Sequence, residues 1–160
     1  MNKTTGWMVL AGSVVLASCA SKPDYNGPAT VTQSVMVDAP AAQVWQLVGD
    51  FNDLEKWNQA ITISKQVSDV RYLTLADGGE IVEQLGSMDD AGMIYSYRIL
   101  HSPLPVSSYE GTLRVIAKGD NQSEVVWSST FMPKGATTEE AEQLISGIYQ
   151  AGLQQLQGMY

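Results

Sequence analysis

The sequence predicts an α+β fold in which a seven-stranded antiparallel sheet curves around one long C-terminal helix. Three observations carry it. Alternating, β-branched stretches separated by short turn-like breaks recur over most of the chain. Thr138 to Gln157 carries an apolar stripe at helical spacing. Two short helical patterns interrupt the strands once only, directly after the first.

The first strand is Thr30 to Val37, with alternating β-branched residues. Asp38-Ala39-Pro40 ends it and can cap a helix. Ala41 to Val48 follows, with Val44, Trp45, Leu47 and Val48 forming a helical stripe. Gly49-Asp50 breaks it. Phe51 to Trp57 reads as a second short helix, with Asp50 as its cap and Phe51, Leu54 and Trp57 on one side. Six strands come next: Ile61 to Val67, Val70 to Leu75, Glu80 to Met88, Met93 to His101, Ser107 to Ala117 and Ser123 to Met132. Breaks such as Ser68-Asp69, Asp77-Gly78-Gly79 and Gly119-Asp120-Asn121 are too short for crossovers, so the strands form a meander. The last helix has Thr137 or Thr138 as its cap, and Glu139-Glu140 suit its positive end. Its stripe is Ala141, Leu144, Ile145, Ile148, Tyr149, Gly152, Leu153 and Leu156. That stripe must bury itself on one face of the sheet, and a sheet curling around it leaves a cavity between them.

The N-terminus reads separately. Lys3 precedes an apolar run from Trp7 to Ala17, broken by Gly12 and Ser13 and too short to span a membrane. Leu16-Ala17-Ser18-Cys19 ends it, and Cys19 is the only cysteine of the chain. A charged start, an apolar run and small residues before a cut make a secretory signal peptide. The tetrapeptide closely resembles a bacterial lipobox. That resemblance implies a signal peptide over 1–18, lipidation of Cys19, and anchorage in a bacterial cell envelope. Ala20 in place of the aspartate of many inner-membrane lipoproteins implies the outer membrane, facing the periplasm. An ordinary signal peptide with a chance cysteine is the competing reading. Residues 19–29 comprise this cysteine and a Pro/Gly-rich flexible tether, which leaves 30–160 as one domain.

Composition excludes several functions. Acidic residues number 17 against 9 basic ones, for a net charge of −8, and cleavage at Cys19 removes Lys3 alone. An acidic chain suits neither nucleic acid nor an anionic lipid surface. With Cys19 lipidated, no thiol remains for a disulfide or for nucleophilic catalysis. One histidine and no clustered carboxylates give no basis for a metal site, and no cofactor is expected. The serines lack a Gly-x-Ser-x-Gly setting. Asp77-Gly78-Gly79 lies between strands with no following helix, so it reads as a hairpin turn rather than a phosphate loop.

Several segments together are similar to a known family. They are Ala39 to Trp45, Val48-Gly49-Asp50-Phe51 with Trp57, Arg71 to Gly79, and Glu83-Gln84-Leu85 with Met88-Asp89-Asp90. Tyr95-Ser96-Tyr97, Ser102 to Val106 and Tyr109 to Leu113 complete the set. From Val31 to Leu156 the chain resembles the START-like superfamily, also called SRPBCC or polyketide cyclase/dehydrase-like, with its helix-grip fold. The resemblance implies one apolar cavity that binds a small hydrophobic molecule. In the related plant hormone receptors, the positions matching Glu83, Tyr97 and Tyr109 line the ligand pocket.

Strand alternation extends that set. Ile81 and Leu85 share the face of Glu83. Tyr95, Tyr97, Ile99 and His101 share one parity, as do Tyr109, Gly111, Leu113 and Val115, and Val125, Trp127, Ser129 and Phe131. With Trp57, Ile145, Ile148, Tyr149 and Gly152 they would line an aromatic cavity. The candidate ligand contacts are therefore Glu83, Tyr97, Tyr109, Trp57, Tyr95, Ile99, Trp127, Ile148 and Tyr149. An inward carboxylate needs a hydrogen bond or a raised pKa, so Glu83 is expected either to bond Tyr97 or Tyr109 or to pair with Arg98 or Arg114.

Three functions follow. The first is a lipid-anchored binder or carrier of a hydrophobic small molecule or lipid, with the Asp77–Gly79 and Pro103–Pro105 loops flanking the cavity mouth as lids. The second is a cyclase or dehydratase using Glu83 or His101 as general acid/base. The third is a structural lipoprotein without a ligand. Nothing in the sequence speaks to oligomeric state.

Overall fold

A computed structural model describes residues 27–160. The expected signal peptide over 1–18, the expected lipidation site Cys19 and most of the expected tether lie outside the described residues. Ala29, read as the tether's last residue, already opens the first strand and pairs with Phe131.

The elements run β1 (Ala29–Val37), α1 (Ala41–Val48), α2 (Leu54–Trp57), β2 (Ile61–Val67), β3 (Val70–Leu75) and β4 (Glu80–Asp89). They continue with β5 (Ile94–His101), β6 (Val106–Gly119), β7 (Gln122–Pro133) and α3 (Thr138–Gln157). All seven strands form one antiparallel sheet in the order β1-β7-β6-β5-β4-β3-β2. The meander from β2 to β7 is closed by β1, which pairs along its whole length with β7. This is the helix-grip arrangement the sequence implies.

Local chemistry explains most boundaries. Thr137 caps α3 in a reciprocal capping box: its Oγ1 accepts from Glu140 N at 3.2 Å, and Glu140 Oε2 accepts from Thr137 N at 2.9 Å. α1 starts without a side-chain cap. Pro40 stands at the boundary, and Asp38 instead accepts a hydrogen bond from Gln122 at 3.1 Å. α2 is shorter than the Phe51–Trp57 pattern. Asp50 Oδ1 accepts from Asn52 N at 2.9 Å, so Asp50 builds a turn over the first three residues rather than capping a helix.

Bulges curl the sheet. On β6, Ser108 and Tyr109 together oppose Phe131 of β7, and Ser108 takes a left-handed φ of 48°. On β5 the pairing steps from Ile99↔Glu83 to His101↔Val82, which leaves Leu100 as an extra residue. α3 lies across the concave face, chiefly against β1. It buries Ala141, Ile145, Tyr149, Gly152, Leu153 and Leu156, whereas Leu144 points to solvent. Leu144 sits at the margin of the stripe, beyond the reach of the sheet.

Candidate functional site

Between α3 and the concave face lies a cavity of about 340 Å³. Alternation aims Leu73 of β3, Ile81 and Glu83 of β4, Tyr97 and Ile99 of β5, Tyr109 of β6 and Trp127 of β7 into it. α3 adds Ile145, Ile148 and Tyr149, and Leu54, Asn58 and Ile61 close it from the α2 side. Asp77 and Leu104 reach it from the two loops expected at its mouth. Those loops meet there: a Cβ on Gly79 would lie 3.5 Å from Pro103 Cγ.

Seven of the nine candidate contacts line this cavity: Glu83, Tyr97, Tyr109, Ile99, Trp127, Ile148 and Tyr149. Trp57 and Tyr95 do not. Trp57 stands behind the wall, its ring edge-on to Trp127 at 5.3 Å. Tyr95 is held between Trp45, Phe51 and Tyr97 at centroid distances of 5.6–6.1 Å. Its ring fills the space between sheet and α1 and is core. His101 also departs from expectation. The extra residue Leu100 breaks the alternation, so His101 takes the outward face of Val82 and is exposed. It borders a separate crevice with Ser107, Ser108 and Lys134, and the two hollows share only Ile99 and Tyr109.

Glu83 pairs with neither Arg98 nor Arg114, both of which are exposed. Its partner is Arg71, directly opposite on β3, with Arg71 Nε donating to Glu83 Oε2 at 2.6 Å. Arg71 is 1% and Glu83 5% exposed, so this is a buried ion pair. Arg71 Nη1 donates to the Phe51 carbonyl, and the guanidinium lies 3.9 Å over the Phe51 ring. Burial is the largest single influence and opposes the arginine's charge, but Glu83 together with Tyr95 and Tyr97 outweighs it and holds the Arg71 pKa above its ordinary value. Arg71 is not among the candidate contacts, although its position in β3 carries a signal. It alternates in phase with Leu73 and Leu75, which puts it on the inner face. Asn58 carried no such signal. Its Oδ1 accepts from Ala60 N at 3.1 Å in an irregular segment that no periodicity describes.

The tyrosines bond one another rather than Glu83. Trp127 Nε1 donates to Tyr97 Oη at 2.8 Å, Tyr97 Oη lies 3.2 Å from Tyr109 Oη, and Tyr109 Oη bonds Tyr149 Oη. The Trp127 and Tyr149 rings stack at 4.3 Å. Burial pushes the Tyr109 pKa up to about 12. Tyr97 and Tyr149 are raised too, by burial first and then by their neighbouring phenols. All three stay protonated at neutral pH. The backbone makes room for this chain of hydroxyls. A Cβ on Gly111 would come within 2.3 Å of Tyr97 Cζ, so only glycine lets that ring lie across β6.

The fold has known relatives. Residues 28–158 match the model of the family described as polyketide cyclase / dehydrase and lipid transport. An uncharacterized protein from Bacillus thuringiensis is 40% identical, with a TM-score of 0.80 over 82% of this chain and 98% of that one. The protein XoxI from Bacillus cereus is 39% identical, with a TM-score of 0.81 over 82% of this chain and 95% of its own. The Zhui aromatase/cyclase from a Streptomyces species is 18% identical, with a TM-score of 0.69 over 83% and 93% of the two chains, and shares the fold. No curated protein matches the chain. A match across nearly the whole described domain, with neighbours close to 40% identity, shows that the chain belongs to the polyketide cyclase/dehydrase and lipid transport family.

Proposed function

We propose that this protein binds or carries a small hydrophobic molecule in the cavity between sheet and α3. The observation that carries the reading is the cavity itself. At about 340 Å³ it reaches ligand size, and its wall is apolar and aromatic apart from a few polar points. A domain with a purely structural role gains nothing from leaving such a space unfilled. Native mass spectrometry of the full chain purified from a bacterial envelope, followed by organic extraction, tests this. A co-purifying apolar molecule is the expected result. An empty protein that also takes up nothing from an envelope lipid extract would refute the reading.

A second reading, a cyclase or dehydratase, is favoured by one observation. Three tyrosine hydroxyls and the Glu83 carboxylate border the same cavity, and convergent polar groups are what acid/base chemistry requires. His101, facing outward, plays no part in that version. Turnover of an extracted ligand that is lost in Tyr149→Phe, with binding retained, would select it.

Anchorage belongs to the same proposal. The Leu16-Ala17-Ser18-Cys19 sequence supports acylation at Cys19 and attachment to the outer membrane, facing the periplasm. Labelling with a clickable fatty acid and membrane fractionation test it. The label and the outer-membrane fraction should both be lost in Cys19→Ser. A labelled Cys19→Ser chain would overturn it.

A further inference from the structure

The chemical class of the ligand follows from two features of the cavity, given that the cavity binds a ligand as proposed above. The first is its charge. Among the residues lining it, the charged ones are Glu83 and Asp77, both acidic, with no lysine, arginine or histidine. The one buried cation nearby, Arg71, is not among the lining residues: its Nε is engaged by Glu83 at 2.6 Å and its Nη1 by the Phe51 carbonyl, while its Nη2 is buried without a partner. An anionic headgroup entering this space would lose its hydration, meet a carboxylate and find no cationic side chain on the wall.

The second feature is a count of protons. The chain Trp127–Tyr97–Tyr109–Tyr149 holds four polar hydrogens, one on the indole and three on the phenols, but only three links. One hydroxyl proton is left over. Trp127 already donates to Tyr97, which favours Tyr97 donating to Tyr109, Tyr109 to Tyr149, and Tyr149 outward. If the order reverses, the spare proton falls on Tyr97 or Tyr109. All three tyrosines line the cavity, so in every arrangement the surplus donor belongs to a residue of its wall. Neither Tyr97 nor Tyr149 spends it on Glu83, to which no phenol is bonded. Ser129 Oγ is buried without a hydrogen-bond partner, so it takes up none of these protons in the structure.

We infer that the cavity selects a neutral apolar ligand with a hydrogen-bond-accepting oxygen, such as a ketone, ester or ether, and rejects carboxylates and phosphates of the same skeleton. The surplus tyrosine proton meets the accepting oxygen. The wall, which offers an anion no cationic side chain, excludes the anions. The cavity therefore does not take free fatty acids by their headgroups.

Four naphthalene probes of similar shape test this on the purified full-length chain by titration calorimetry near neutral pH. Ethylnaphthalene has no polar atom, acetylnaphthalene adds a carbonyl, and naphthoate adds a charge. Acetylnaphthalene should bind about fivefold tighter than ethylnaphthalene, from one net hydrogen bond, and at least about tenfold tighter than naphthoate. Methyl naphthoate should recover the affinity that naphthoate lacks, which separates charge from shape. Equal binding of ethylnaphthalene and acetylnaphthalene, or naphthoate as tight as its ester, would overturn the inference and leave the binding reading standing. Failure of all the probes to bind would count against both. Wild-type protein suffices, so no outcome depends on a variant folding.

Discussion

Replacing Glu83 by leucine should destabilise the domain by about 3 kcal/mol, and removing Arg71 as well should restore part of the loss. The charges of Arg71 and Glu83 are 2.6 Å apart and almost wholly out of water, at 1% and 5% exposure. Removing one partner of such a pair strands the other, at a cost of about 3–5 kcal/mol. In Glu83→Leu the stranded group is Arg71, which keeps its bond to the Phe51 carbonyl and its place over the Phe51 ring at 3.9 Å. Those contacts offset about 1–2 kcal/mol, so the lower end of the range applies. In a domain of this size that is a fall in Tm of roughly 10 °C. Arg71→Met should cost more, because it strands both the carboxylate and the Phe51 carbonyl. The double variant Arg71→Met/Glu83→Leu leaves only that carbonyl unpaired and should lie about 1–2 kcal/mol below wild type. Urea denaturation of the four proteins gives the cycle directly. A Glu83→Leu chain within about 1 kcal/mol of wild type, or a double variant no more stable than Glu83→Leu, would refute the picture of a desolvated pair.

Other parts of the structure make their own predictions. In Gly111→Ala the new methyl would overlap Tyr97, since a Cβ there comes within 2.3 Å of its ring. A loss of about 1–3 kcal/mol and an altered Trp127 fluorescence should result, and an unchanged spectrum would argue against that close approach. Alkaline pH should weaken the fold through Tyr109, whose pKa rises on folding from 10.0 to about 12. The folded state favours the neutral phenol, so stability is complete below pH 10 and falls by roughly 3 kcal/mol as pH climbs to about 12. Tyr97 and Tyr149 act in the same direction. Chemical denaturation across that window should show the decline, and a flat profile would contradict it. Thr137→Ala removes the 3.2 Å cap on Glu140 N and should cost about 1 kcal/mol, read as a shift of the urea midpoint.

What the sequence determined by itself is local in origin. The order of elements, the extent of α3 from Thr138 to Gln157 and the inward parity of Tyr97, Tyr109 and Trp127 follow from periodicity, turn residues and caps within a few positions of each other. The boundary errors were also local: Asp50 could build a turn or a cap, and it builds the turn. What only the tertiary structure decided depends on register and on contacts between distant segments. One extra residue, Leu100, moves His101 out of the site, and a bulge has no periodic signature in a single strand. Glu83 finds Arg71 rather than Arg98 because pairing across the β3–β4 hairpin sets the two opposite each other. Tyr95 and Tyr97 share a parity, yet α1 and Phe51 cover the first and leave the second to the cavity. The link between Tyr109 and Tyr149 joins residues 40 positions apart, and no pattern along the chain states how far α3 sits above the sheet. That spacing comes from packing the whole core, and it makes the difference between a filled interior and a cavity.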